Sequence, residues 1–240
     1  MNSYFDSLSN VFLPEYLQLQ NDFKGDINQD GYALFFPQIG FQYPQRKNSG
    51  LLWIGRATNG WGNDVKKDTI NKEYVQSQFE ESIMNDYIEC YWSKQNENKY
   101  KFKRSAFWRI IAGVSSRLYE QGYWSNYIAY SNLYKIAPSC GNNPSSRVKK
   151  AQCNACNRIL QLEIDMLSPK AVILLTGQSW CRGFFLEDII KTNPVAYSKL
   201  GNYTVFKWIC NGINFIITEH PMRKPEQEHI HSILSLLKND

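Results

Sequence analysis

KAVILLTG, residues 170–177, limits the possible folds more than any other stretch of the chain. Five apolar residues follow one another, with Pro169 just before Lys170 and Gly177 just after Thr176. A run this short and unbroken fits a strand covered on both faces, as in a parallel sheet enclosed by helices. LLWIG, residues 51–55, has the same character and ends in a glycine that opens into a loop. Tyr127 to Tyr134 alternates like a further strand before Pro138, Gly141 and Pro144 break the chain. YTVFKWI and NFIIT, on either side of Gly212, predict two more.

Between these strands the apolar period lengthens. Residues 70–91 predict a helix, and in KYKFKRSAFWRIIAGVSSRLYEQG the residues Phe102, Ala106, Ile110, Val114 and Leu118 recur four apart until Gly122. Another helix starts near Ser145 or Ser146, turns Val148, Cys156, Ile159, Leu160 and Leu167 inward, and stops at Pro169. A closing helix runs from about Pro225 to Lys238. Residues 1–50, interrupted by Pro14, Pro37 and Pro44, read as an irregular N-terminal extension packed on one domain that spans 1–240. Short strands alternating with longer helices predict an α/β protein. The expected form is a three-layer α/β/α sandwich around a central, mainly parallel sheet of four to five strands.

Charge and cysteine usage narrow the class. A formal charge of +5 and a pI near 8.8 suit a polyanionic partner without requiring one. The N-terminus lacks a basic patch followed by an apolar run, and AVILL is far too short to cross a bilayer. Six irregularly spaced cysteines read as reduced thiols. The expectation is a cytoplasmic protein with no membrane association and no obligate protein partner. Cys153 and Cys156 lack a second pair and make a poor metal site. His229 and His231 point to different sides of a helix. No Walker loop, dinucleotide fingerprint or Ser–His–Asp arrangement is present, so neither metal nor cofactor is expected.

Ligands gather beyond the carboxyl ends of parallel strands. Three such exits are polar or glycine-rich: GRATNGWG (55–62), SNLYKIAPSCGNNP (131–144) and TEHPMRKP (218–225). Asn132 carries both a donor and an acceptor into an apolar strand, either to satisfy a buried network or to read a ligand. His220 can donate a hydrogen bond whether neutral or protonated, and equally suits a structural role at a proline-bounded turn. Gly55, Gly60 and Gly62 permit close backbone approach, while Trp61 can stack on a base or fill the core. Lys103, Arg104, Arg147, Lys149 and Lys150, with Lys99 and Lys101, form either a solvated surface or a phosphate-binding face.

In order and spacing these exits resemble the uracil-DNA glycosylase superfamily, nearest its thermostable iron–sulfur branch and Ala-containing relatives. The second motif of that branch reads roughly Thr-Asn-x-x-Lys-Cys-x-Pro-Pro. It is followed by Asn-x-Pro, a Cys-bearing helix, Pro-Lys and a hydrophobic strand ending in Gly. SNLYKIAPSCGNNPSS, Cys153, SPK and AVILLTG follow that course. Gly55 and Ala57 match the first motif, Gly-x-Ala-Pro-Gly, and His220 and Pro221 match the His-Pro of the last. The resemblance covers about residues 50 to 238. Thr58 and Asn59 depart from the Pro-Gly of the first motif, Arg56 stands where an acid is common, and Met222 replaces a Ser. Of the cluster ligands only Cys153 is matched, and Ile136 occupies the place of another, so an iron–sulfur cluster is not expected.

The resemblance implies a monofunctional DNA glycosylase. Such an enzyme flips uracil or a modified pyrimidine out of DNA and hydrolyses its N-glycosidic bond, leaving an abasic site. It places His220 beside the base, where a donor stabilises charge building on O2. Asn132 then pairs with N3–H and O4 of uracil or, turned about, with the amino group of cytosine. Gly55, Arg56, Ala57, Thr58 and Trp61 line the base pocket. Ala57 cannot orient water, which leaves Asn59, Asp64 and Glu219 as candidates in falling order. Arg223, Lys224, Asn143 and Ser145 contact DNA. The altered first motif extends the possible substrates to bulky phage-type cytosines, and the possible roles from base-excision repair to phage defence. Two other classes stay open: a non-catalytic nucleic-acid-binding module on the same fold, and a hydrolase of free nucleosides or nucleotides.

Overall fold

The computed structural model describes residues 2–24, 31–43, 50–59, 63–64, 70–81, 102–119 and 123–238. Its helices are α1 (Asn2–Lys24), α2 (Lys72–Glu81), α3 (Ala106–Leu118), α4 (Ser146–Leu167), α5 (Leu186–Ile190) and α6 (Glu226–Lys238). Its strands are β1 (Tyr32–Leu34), β2 (Gln38–Ile39), β3 (Leu51–Gly55), β4 (Asn63–Asp64), β5 (Ile128–Asn132), β6 (Ile136–Pro138), β7 (Ala171–Leu175), β8 (Ala196–Leu200), β9 (Tyr203–Cys210) and β10 (Ile213–Thr218). The chain is a mixed α/β protein that divides into two compact units. One comprises Met1–Gln38, Gly55–Ile83 and Ser131–Met166; the other comprises Ile39–Ile54, Met84–Tyr130 and Leu167–Asp240.

A seven-stranded sheet has the order β2-β5-β3-β7-β10-β9-β8, and most of its residues fall in the second unit. All five residues of β7 are buried, and β7 runs parallel to both β3 and β10. At the β8 edge the pairing turns antiparallel. The reason is local: Asn211 and Gly212, at φ 51° and 76°, fold β9 straight back into β10 through a two-residue turn. The sheet therefore has seven strands rather than the expected four to five, with parallel pairing at its centre and antiparallel hairpins at one edge. β8 escapes sequence reading because its residues are half-exposed or exposed except for Leu200. α6 packs against β8, β9, β10 and α3, and α3 buries Phe107, Trp108, Ile110, Ile111 and Val114. Lys207 of β9 is buried and donates from Nζ to the Leu236 carbonyl at 3.0 Å, placing a cation at the last turn of α6.

Gly40 shows how closely this unit is packed. Its N–H donates to the Ile128 carbonyl at 2.8 Å, and a Cβ there would lie 2.4 Å from the backbone oxygens of Ser125 and Asn126. Gly40→Ala is expected to lower unfolding free energy by about 1–3 kcal/mol, because backbone and not a pliable side chain must move. Denaturant unfolding checks this; a change below about 0.5 kcal/mol would mean that the site relaxes.

The first unit corrects the expectation of an irregular stretch over residues 1–50. α1 takes up most of its first half, with Leu8, Phe12, Tyr16, Leu19 and Phe23 forming one buried stripe at helical spacing. Pro14 is accommodated on the exposed side, where water can reach the carbonyl that it leaves unbonded. Tyr16 stacks on Phe36 with centroids 4.2 Å apart and donates from Oη to the Phe35 carbonyl, while Phe12 meets Phe79 of α2 at 5.2 Å. α2 covers Lys72–Glu81, and residues 82–91 of the predicted helix lie outside the described residues. β1 pairs antiparallel with β4 and β6. Among the described residues, no helix is long and apolar enough to cross a membrane.

Candidate functional site

Two of the three strand exits belong to the first unit, and the chain between 131 and 136 is anchored at every residue. Ser131 Oγ donates to Glu163 at 2.8 Å, and the Asn132 carbonyl accepts from Lys135 Nζ at 2.7 Å. Leu133 N–H and Tyr134 N–H donate to the carbonyls of Gly55 and Arg56, at 2.9 and 3.0 Å, tying this exit to the first motif. The Lys135 carbonyl accepts from Phe35 N–H at 2.8 Å. The Gln152 carboxamide grips both the N–H and the carbonyl of Ile136, as a neighbouring strand would. Lys135 Nζ also reaches Glu163 and Ser131 Oγ, at 2.7 and 2.6 Å, and Ser131, Asn132, Lys135 and Glu163 are all fully buried.

Lys135, Glu163 and Gln152 were not among the sequence candidates. The signal was present: Glu163 falls on the apolar side of α4 with Cys156, Ile159 and Leu160, and Lys135 follows an apolar strand. A carboxylate and an ammonium in such settings need partners. Burial pushes the Glu163 carboxyl up from its ordinary range, opposed by Lys135. Burial also pushes the Cys156 thiol up to about 12, the state of an inert core cysteine.

The other first-motif residues are spread more widely. Arg56 and Ala57 are half-buried, and Thr58 is buried with no hydrogen-bond partner for its hydroxyl among the described residues. Asn59 is exposed, and its Oδ1 accepts from Asn142 N–H at 3.2 Å, so this oxygen helps to hold the second loop. Asn143 and Ser145 are exposed, and Ser145 Oγ accepts from Val148 N–H at 3.3 Å as the cap of α4. Asp64 lies on β4, opposite Ala33. Gly60, Trp61 and Gly62 lie outside the described residues.

The third exit belongs to the second unit. β10 ends at Thr218, whose carbonyl accepts from Gly177 N–H at 2.8 Å. Gly177 has φ 86°, which strains any side chain, and a Cβ there would lie 3.1 Å from the Glu219 carboxylate, close enough that the carboxylate would have to shift by a few tenths of an ångström. His220 is half-buried and stacks on Phe107 with centroids 6.2 Å apart and planes 23° from parallel. Its Nδ1 accepts from Met222 N–H at 3.3 Å. A neutral ring with Nδ1 as acceptor carries its proton on Nε2. Beyond it, Lys224 N–H closes a turn onto the Pro221 carbonyl at 3.1 Å. Met222 is 61% exposed at the tip, Arg223 is held at φ 61°, and Lys224 Nζ sits 4.4 Å above the Tyr203 ring. Arg109 of α3 forks onto Glu226 at the start of α6, through Nε and Nη2, and this bonding holds the Glu226 carboxyl below its usual range.

His229 of α6 secures the base of this loop. It is fully buried, its Nε2 lies 2.8 Å from Thr218 Oγ1, and burial lowers its pKa to about 4, with Lys224 and His220 adding to the effect. Above about pH 6.5 folded and unfolded chains both hold this ring neutral, and the stability is complete. As pH falls the unfolded chain binds a proton that the folded chain refuses. Unfolding free energy is therefore expected to decline between about pH 6.5 and 4, by about 3 kcal/mol from this residue. Urea titrations of wild type and His229→Gln across that range test it; equal slopes for the two would exclude His229 as the cause.

The structure thus joins the first motif to the second inside one unit and sets His220 on a turn in the other. No protein-family model matches the chain, and no curated protein matches it in sequence.

Proposed function

We propose that the protein is a cytoplasmic, monofunctional DNA glycosylase on a uracil-DNA glycosylase-like α/β/α sandwich. It removes uracil or a modified pyrimidine, bulky phage-type cytosines included, from a flipped nucleotide. The carrying observation is the His220 loop, with a ring whose Nδ1 is engaged by Met222 N–H, on a turn that leads to an exposed tip. In glycosidic hydrolysis the departing pyrimidine takes up negative charge, largely on O2. A donor aimed there stabilises charge that exists only as the bond breaks. The Nε2–H of His220 is that donor, and Phe107 holds the ring in its plane.

Met222 is the wedge that occupies the gap left by the extruded base, with Arg223 and Lys224 on the flanking phosphates. Asn132 reads the pairing edge of the base through its carboxamide, on a strand exit that admits little movement. Because the sugar is oxocarbenium-like at the transition state, the demand on the attacking water is modest. That fits a first motif with Ala57 in place of a carboxylate.

The test is base release, read by mass spectrometry, from DNA carrying natural and phage-modified pyrimidines. Release of one free base together with alkali-labile sites is the expected result. Tight, salt-sensitive DNA binding with no release from any substrate would replace the glycosylase with a binding module. Faster hydrolysis of free nucleosides than of DNA would replace it with a nucleoside hydrolase.

A further inference from the structure

We infer that Lys135 and Glu163 are positioning residues whose task is to fix the base-reading strand exit at Asn132. The inference rests on the assignment of Asn132 as the reader. Both charges are fully removed from water, and Lys135 Nζ spends its hydrogen bonds on Glu163 Oε1, Ser131 Oγ and the Asn132 carbonyl. A buried ion pair is a poor source of stability, since apolar side chains of similar volume usually serve as well or better. What apolar side chains cannot do is grip a carbonyl. The ammonium curls the backbone so that residue 135 bonds residue 132, while Glu163 of α4 holds Ser131 one residue earlier. The two charged groups therefore clamp the chain on both sides of the Asn132 peptide. Leu133, Tyr134 and Ile136 are held by other backbone and carboxamide bonds. Of these backbone groups, the Asn132 carbonyl is the one that the ammonium takes directly, at 2.7 Å.

This arrangement suits discrimination between bases. Uracil and cytosine differ at the pairing edge by an exchange of donor and acceptor. A carboxamide distinguishes them only if its backbone stays within a fraction of an ångström of one position.

The experiment compares wild type with Lys135→Met/Glu163→Leu, which replaces the pair by apolar side chains, and with Ser131→Ala. Three readouts are used: thermal unfolding, single-turnover base release from uracil- and cytosine-containing DNA, and the side-chain amide NMR signals of Asn132. The double variant is expected to melt cooperatively within a few degrees of wild type. Its release rate should fall by about 10²-fold, with DNA affinity changed less than about threefold and selectivity between the two bases reduced at least about tenfold. Its Asn132 amide signals should shift and broaden. Ser131→Ala should show the same changes to a smaller degree.

A double variant with wild-type rate, selectivity and Asn132 signals would overturn the inference and make the pair purely structural. Absence of base release in the wild type would instead defeat the glycosylase assignment. The Asn132 signals would then still decide whether the pair positions that residue.

Discussion

Replacing His220 by alanine is expected to slow base release by about 10²–10³-fold, the usual effect of removing one hydrogen-bond donor from developing negative charge. In the proposed mechanism the ring acts only as the glycosidic bond lengthens, so kcat should carry the loss. DNA affinity should stay within about threefold, because Met222, Arg223 and Lys224 remain on the loop. His220→Gln keeps an N–H donor at about the reach of Nε2 but on a more flexible side chain, and should fall between wild type and alanine, about tenfold down. The fold should not change, since the ring is half-buried and lies face-on to Phe107 with centroids 6.2 Å apart. Single-turnover rates with saturating enzyme isolate the chemical step. A loss below about threefold in His220→Ala would remove this residue from leaving-group stabilisation.

Lys135→Met is expected to be the most destabilising single change in the first unit, at about 3–5 kcal/mol near neutral pH. The cause is the carboxylate left behind. Glu163 is fully buried, one of its oxygens has no hydrogen-bond partner among the described residues, and burial already pushes its pKa up against the pull of Lys135. Without the ammonium, the folded state must either bury an uncompensated charge or take up a proton. The pH dependence follows with a definite sign. A carboxyl whose folded pKa exceeds its unfolded pKa contributes fully below the unfolded value and loses that contribution as pH rises through the folded value. Lys135→Met should therefore be penalised less at pH 5 than at pH 7.5, measured against wild type at the same pH so that the His229 effect cancels. Adding Glu163→Leu should restore most of the stability. Guanidinium unfolding at the two pH values checks all three statements. A penalty that is independent of pH would mean that packing of the Lys135 stem, and not the charge on Glu163, sets the cost.

Several elements are legible in the sequence alone. AVILL became β7, LLWIG became β3, and the four-residue spacing of Ala106, Ile110, Val114 and Leu118 became α3. α1 was legible too, in the stripe from Leu8 to Phe23, but Pro14 argues for a break and masks it. An exposed proline removes one bond from a helix whose opposite face is buried, and the buried face decides. The site divides in the same way. Asn132 and His220 stand out as polar side chains at strand ends, whereas the tautomer of His220 depends on which backbone N–H meets its ring.

The amino-acid sequence by itself determined the α/β character, the buried strands at the sheet centre and the polar exits. Each follows from the hydrophobicity and spacing of residues close together in the chain. The tertiary structure alone decided the seven-strand order, the pairing of Lys135 with Glu163 across 28 residues and the seat of His220 against Phe107. Those depend on contacts between distant segments, and burial makes such contacts obligatory only once the segments have met: a charge removed from water must find its opposite.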